Sequence, residues 1–262
     1  MVAAISRRPS TLSPLFPDDR EKGGTTVRQC QLVLIRMLKI FDHICRVQGI
    51  SYWITAGTLI GALRHQGIIP WDCDIDVAMT EEDYRAFAKV SKQLPPDIFF
   101  QTEETDPAYP LGAPIAAKLR DRYSNYFEWQ ALNPDAKWHN GLQLDILVYC
   151  RDERGRLVNP VRLTPYEHSE IFPLVLVEFE GTQLLAPNNP AAYISRRYGD
   201  FMALPPPEAR VAHEGAADPF TPCDHPESRQ FRRAFWRRWR LSERAGLCIR
   251  RCASSSSRGG AP

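Results

Sequence analysis

Apolar side chains recur at helical spacing through Cys30, Val33, Leu34, Met37, Phe41 and Ile44, which predicts an amphipathic helix running to Gln48. Thr25 or Thr26 is placed to cap its start and Gly49 to end it. The pattern then shortens. Ile50 to Thr55 is aromatic and β-branched and predicts a strand, Ala56-Gly57-Thr58 a tight turn, and Leu59 to Arg64 a second helix. Beyond the Gln66-Gly67 turn, Ile68 to Val77 predicts another strand, and Thr80 with Asp83 resembles a capping box that opens an acidic helix. Further strands are predicted at Ile115 to Arg120 and Gly141 to Tyr149. A hairpin is expected over Leu174–Phe179 and Thr182–Leu185, turning at Glu180-Gly181, with a short helix over Pro190 to Tyr198. No internal repeat is present. The mixture predicts one α/β (α+β) domain, a mixed sheet flanked by helices, over residues 25–213. Residues 1–24 form a flexible lead-in ending in Gly23-Gly24, and residues 214–262 a basic, partly helical and then low-complexity tail.

Composition narrows the class. With 262 residues, 44% hydrophobic and 24% charged, the chain can bury a sizeable core and lacks the signature of disorder. Its longest apolar runs, such as Ile146 to Tyr149, fall far short of the roughly 20 residues that span a bilayer. Met1 to Phe16 lacks the apolar stretch of a secretory signal. Seven irregularly spaced cysteines suit a reducing compartment better than a disulfide scaffold. These features together lead to the expectation of a cytoplasmic protein.

The net charge of +2 hides a segregation. From Glu227 onward ten arginines face two glutamates, a local excess of +8, so the rest of the chain carries −6. Phe231, Phe235 and Trp239 sit at four-residue spacing among these arginines, the pattern of a basic amphipathic helix. Residues 229–251 are therefore expected to offer a peripheral contact with an anionic membrane surface. Nucleic-acid binding is disfavoured, because no accompanying fold motif is present. A zinc site from Cys223, His225, Cys248 and Cys252 matches no standard spacing.

The chemistry concentrates in the middle of the chain. Asp72, Asp74 and Asp76 alternate with Cys73, Ile75 and Val77, which on a strand puts three carboxylates on one face. Like charges so close call for a cation, and hard oxygen ligands suit Mg²⁺ or Mn²⁺. A calcium loop starting at Asp72 fails, since Val77 and Asp83 stand where glycine and a bidentate glutamate belong. Asp145 interrupts the otherwise buried-looking strand around Leu144 and Ile146, and such a charge needs a partner or a metal. Gly57-Thr58 opens a helix whose N-terminus can receive a phosphate.

The run from Tyr52 to His65, through Ile69-Pro70-Trp71-Asp72-Cys73-Asp74-Ile75-Asp76-Val77, closely resembles the LicD family of phosphocholine transferases and fukutin-related glycan-modifying enzymes. Ala117 to Asp121, His139 to Ile146, and Arg197 to Met202 with Leu204 to Glu208 are similar to the same family, so the resemblance covers residues 28–213 in order. Two positions depart from it. Ala56 stands where members often have glycine, and Cys73 where they often have aspartate.

The resemblance implies a nucleotidyltransferase-like fold and metal-dependent transfer of a phospho-alcohol, such as phosphocholine, from a CDP-linked donor to a hydroxyl of a glycan or glycolipid. Asp74 and Asp76 are expected as metal ligands, Asp145 as third ligand or general base, and Asp72 in a supporting position. Gly57, Thr58, Arg64, Lys118 and Arg120 are expected at the donor. Lys118 and Arg120 have the alternative of pairing with Asp121 or surface acids, and Arg64 that of complementing its helix dipole. His139 is a candidate for proton transfer, with a hydrogen-bonded loop residue as the alternative. Two further functions stay open: attachment of the nucleotide itself to a sugar or small molecule, and an inactive membrane-associated scaffold.

Overall fold

The computed structural model describes residues 12–109, 115–160, 164–212 and 215–225. The predicted first helix is α1, Thr26–Gln48, capped by Thr25, whose Oγ1 accepts from the Arg28 amide at 3.2 Å. Gly49 ends it in the left-handed conformation, at φ 67°. Its apolar stripe, including Leu34, Met37, Ile40 and Phe41, lies fully in the core.

Strand β1 (Trp53–Ile54) is followed by α2 (Ala56–His65), β2 (Ile75–Thr80), α3 (Glu81–Val90), β3 (Ile98–Gln101), β4 (Ile115–Asp121), α4 (Phe127–Leu132) and β5 (Gln143–Arg151). The central sheet runs in the order β1-β2-β5-β4-β3, with β2 and β5 parallel and the other pairs in this path antiparallel. Two short strands, β6 (Leu157–Val158) and β7 (Pro165–Tyr166), extend it beyond the end of β5. After α5 (His168–Ile171), the predicted hairpin appears as β8 (Val175–Phe179) and β9 (Thr182–Ala186), and α6 is Pro190–Tyr198. This is the expected mixed sheet flanked by helices. Among the described residues no helix is long and apolar enough to cross a membrane.

Several local expectations change. The strand predicted over Ile68–Val77 begins only at Ile75, because Pro70 cannot donate to a ladder and the Asp72 amide turns back to the Ile69 carbonyl at 2.9 Å. Thr80 caps α3 by accepting from the Asp83 amide at 3.1 Å. The Asp83 carboxylate, however, accepts from the Thr80 hydroxyl and the Ser51 amide, so the reciprocal capping-box bond is replaced by a tie to the preceding loop.

The packed body also reaches past residues 25–213. Arg20 is buried against Asp121, with Nη2 and Oδ1 2.8 Å apart, and also donates to the Pro219 carbonyl. Asp218 and Asn125 exchange two backbone hydrogen bonds of 2.8 and 2.9 Å, so the segment from 215 to 225 is docked on the domain. The basic amphipathic segment expected at 229–251, with Cys248 and Cys252, lies outside the described residues.

Candidate active site

Three adjacent strands supply the centre of the site. Asp76 on β2 is the direct register partner of Asp145 on β5, and Asp145 is the partner of Lys118 on β4. The same rung continues to Gln101 on β3. Paired residues in neighbouring strands, about 4.8 Å apart, project to one face, so the rung reads carboxylate, carboxylate, ammonium, amide. The alternate positions Ile75, Val77, Leu144 and Ile146 are fully buried and hold the other face in the core.

The start of α2 clamps Asp76 by its backbone. Thr58 Oγ1 accepts from the Asp76 amide at 2.7 Å, and the Thr55 amide donates to the Asp76 carbonyl at 3.1 Å. Thr55 is fixed in turn by its hydroxyl contact with the Tyr193 hydroxyl on α6, 3.0 Å away, and the same oxygen accepts from Trp53 Nε1 at 3.3 Å. Thr58 thus acts here by positioning Asp76. Gly57 matters for clearance: a Cβ at this position would stand 3.1 Å from Asp72 Oδ2. Ala56 takes φ 45°, a left-handed conformation that suits glycine.

Asp72 and Asp74 precede β2, so of the three aspartates only Asp76 stands on the strand. Asp72 Oδ1 accepts from the Cys73 amide at 2.9 Å, while its carbonyl accepts from Gln31 Nε2 at 3.1 Å. Gln31, buried on α1, also reaches the Ile69 carbonyl at 3.3 Å, and the Tyr126 hydroxyl donates to the Cys73 carbonyl. Neither residue was singled out from the sequence. Gln31 carried a signal, a polar side chain inside an apolar helical stripe, whereas Tyr126 carried none.

Asp72, Asp74, Asp76 and Asp145 all line one cavity of about 620 Å³, together with Gly57 and Arg64. Its remaining wall comes from Trp71 and from the segment after α6, including Tyr198, Asp200, Phe201 and Leu204. Asp145 is only 3% exposed and Asp76 9%. Lys118 Nζ lies 2.9 Å from Asp145 Oδ1 and donates to Asp145 Oδ2 at 3.2 Å and to Gln143 Oε1 at 2.8 Å. Burial pulls the Lys118 pKa below the ordinary lysine value, opposed by the attraction of Asp145. Oδ1 of Asp145 is buried, and its contact with Lys118 is an ion pair, the hydrogen bond itself going to Oδ2. Among the described residues, no three His, Cys, Asp or Glu side chains are already gathered closely enough to hold a metal ion.

The remaining expected residues stand apart from the cavity wall. Lys118 and Arg120 do share a face, but Arg120 is buried, with Nε donating to Gln101 Oε1 and Nη1 to the Gly141 carbonyl, both at 2.8 Å. His139 is buried among Phe99, His225 and Cys223, its ring stacked on His225 at 3.9 Å. Burial, reinforced by His225 and Arg122, lowers its pKa to about 2, so it is neutral across the physiological range.

The expected turn at Ala56-Gly57-Thr58 is instead the first turn of α2; a strand, this helix and carboxylates on two neighbouring strands make up the arrangement, and residues 49–189 match the LicD/FKTN/FKRP nucleotidyltransferase domain. The chain belongs to this LicD family. It is 34% identical over 125 residues to the lipopolysaccharide cholinephosphotransferase LicD of Haemophilus influenzae, covering 47% of this chain and 44% of that protein. It is 45% identical over 62 residues to the mouse ribitol 5-phosphate transferase FKRP, covering 24% of this chain and 13% of that protein. With the mouse ribitol-5-phosphate transferase FKTN it shares 26% identity over 162 residues, 60% of this chain and 30% of that protein. The chain thus spans under half the length of each of these relatives.

Proposed function

We propose that this protein is a phosphotransferase that moves a phospho-alcohol group from a CDP-linked donor to a hydroxyl of a glycan or glycolipid. The observation that carries the reading is the Asp76–Asp145 pair on adjacent parallel strands, facing one cavity with Asp72 and Asp74. The relatives named for transfer of choline phosphate and ribitol phosphate support the reaction class and a glycan acceptor.

The donor set fits a hard divalent cation, Mg²⁺ or Mn²⁺. It is all carboxylate oxygen, and the buried Oδ1 of Asp145 has the Lys118 ammonium as its neighbour at 2.9 Å. Asp74, Asp76 and Asp145 would hold the cation, with Asp72 in support. Held there, a cation would supply Lewis-acid stabilisation of the charge on the phosphoryl oxygens.

The protein's own groups do the rest. Thr58 and Thr55 fix the height of Asp76 along β2. Lys118 pairs with Asp145 across the β4–β5 register and offsets its charge in the low-dielectric interior. Gly57 leaves room for the Asp72 carboxylate at the opening turn of α2. The cavity, at about 620 Å³, falls in the size range of small-molecule sites. His139 is assigned no proton-transfer step, since it is neutral, buried and away from the cavity wall.

The test is mass spectrometry of a lipopolysaccharide or glycolipid acceptor after incubation with the full chain, Mg²⁺ and CDP-choline or CDP-ribitol. The expected product gains one phospho-alcohol, and the gain disappears with Asp76→Asn. An acceptor that instead gains a nucleotide monophosphate supports the nucleotidyltransferase alternative.

A further inference from the structure

Arg64 lines the cavity and Arg210 stands between two residues that line it, Ala209 and Val211; neither arginine has an acidic partner among the described residues. Arg64, in the last turn of α2, donates from Nη1 to the Phe201 and Ala203 carbonyls at 2.8 and 3.2 Å, and from Nε to His65 Nε2 at 2.9 Å. Arg210 donates from Nε to the Pro205 carbonyl at 2.9 Å. Both guanidinium carbons approach the Trp71 ring, to 5.9 and 5.5 Å from its centroid. Trp71, Phe201, Ala203 and Pro205 line the cavity that holds the aspartates, and so do both chain neighbours of Arg210.

This leaves Nη2 of Arg64 and both terminal nitrogens of Arg210 with no protein acceptor among the described residues. Two cations drawn to one ring repel each other, and burial together with Arg210 lowers the Arg64 pKa. An anion bound between the two guanidinium groups would relieve their repulsion. Their forks of N–H donors match phosphate oxygens, which accept two parallel bonds from each fork. The carbonyls that Arg64 and Arg210 hold belong to one segment, residues 201–205, so an anion bound here would also fix that wall of the cavity.

We propose that Arg64 and Arg210, gathered at Trp71, form a phosphate clamp that receives the diphosphate of the donor, with Arg210 as its determinant from the C-terminal wall. The assignment rests on the donor reading given above. It adds a positively charged subsite to a cavity whose other charged lining is aspartate, and so orients the diphosphate: the phosphate bearing the nucleoside toward Trp71, the phosphorus bearing the alcohol toward Asp76.

Calorimetric titration of the full chain with inorganic pyrophosphate, CDP and uncharged cytidine, at fixed Mg²⁺ and ionic strength, tests the clamp with Arg210→Ala and Arg210→Lys. The expected result is about tenfold weaker binding of pyrophosphate and CDP by Arg210→Ala, with cytidine binding and thermal midpoint unchanged. Arg210→Lys should recover only part of that loss, since an ammonium lacks the fork. Equal binding of pyrophosphate by wild type and Arg210→Ala overturns the clamp, as does no pyrophosphate binding by the wild type or an equal loss of cytidine. Pyrophosphate binding that depends on Arg210 without any affinity for CDP keeps the clamp and overturns the CDP-donor reading instead.

Discussion

Asp76 and Asp145 are direct partners in the parallel register of β2 and β5, and the next residue along the rung is Lys118, whose Nζ lies 2.9 Å from Asp145 Oδ1. Two carboxylates side by side destabilise the fold, and a single ammonium offsets them only in part. Such a pair is kept for what it binds. Asp76→Asn should therefore abolish transfer by about a hundredfold or more, because metal-assisted charge stabilisation amounts to several kcal/mol. The thermal midpoint should stay level or rise. A large fall in stability together with activity would make Asp76 structural, and calorimetry alongside turnover separates the two.

Thr58 supplies the acceptor for the Asp76 amide inside the core. Thr58→Val keeps the shape and strands that amide, at an expected cost of about 1–3 kcal/mol, whereas Thr58→Ser should retain most of the stability. Chemical denaturation of the two variants checks the order. Equal stabilities would show that the amide does not depend on Thr58.

Ala56 stands at φ 45°, in the left-handed region. Left-handed backbone costs a non-glycine residue about 1–2 kcal/mol, and glycine returns part of that through its looser unfolded chain. Ala56→Gly is expected to raise stability by about 1 kcal/mol, read as a higher denaturation midpoint. A drop in midpoint would mean that the Ala56 methyl contributes packing worth more than the strain.

Glu180 ties the β8–β9 hairpin to α1 and to the loop after α2. Its two carboxylate oxygens accept from Arg28 Nη1 and Nη2 at 3.0 and 2.8 Å, and Oε1 also faces the Ile68 amide at 3.3 Å. Burial pushes the Glu180 pKa up, but the Arg28 bonds and charge bring it to a net value below the ordinary glutamate range. A carboxyl depressed on folding contributes stability that is fully present above its unfolded pKa of about 4.3 and is lost as pH falls through the lower folded value. With Arg28 partly exposed, the contribution is about 1 kcal/mol or less. Glu180→Gln should flatten that part of the acid limb, measured as the wild-type minus variant stability between neutral pH and pH about 3. An unchanged difference across that range would remove Glu180 from the acid response.

The elements with long, regular patterns were legible in the sequence. The α1 stripe from Cys30 to Ile44, the β5 run around Asp145 and the β8–β9 hairpin with its Glu180-Gly181 turn all appear where the periodicity predicts them. The four-residue β3 and two-residue β6 and β7 are too short to show a period, and pairing with longer strands is what holds them. At the site, the residue types were legible but their mutual placement was not. That Lys118 turns inward to Asp145, and that Arg120 is consumed by Gln101 and Gly141, follows from the β3-β4-β5 register, which no local pattern encodes. The docking of residues 215–225 was missed for a related reason. It depends on backbone pairing between Asp218 and Asn125 and on buried Arg20, contacts between distant segments without apolar periodicity.

On the proposed reading, an acceptor hydroxyl in the cavity over Asp76 and Asp145 attacks the phosphorus bearing the alcohol rather than the one bearing the nucleoside. Incubation of the full chain with Mg²⁺, an acceptor glycolipid and either CDP-alcohols or nucleoside triphosphates, followed by chromatography of the released nucleotides and phosphates, decides it. Release of CMP from a CDP-alcohol, lost in Asp145→Asn, is the predicted result. Release of pyrophosphate from a triphosphate with no CMP from any CDP-alcohol would contradict it.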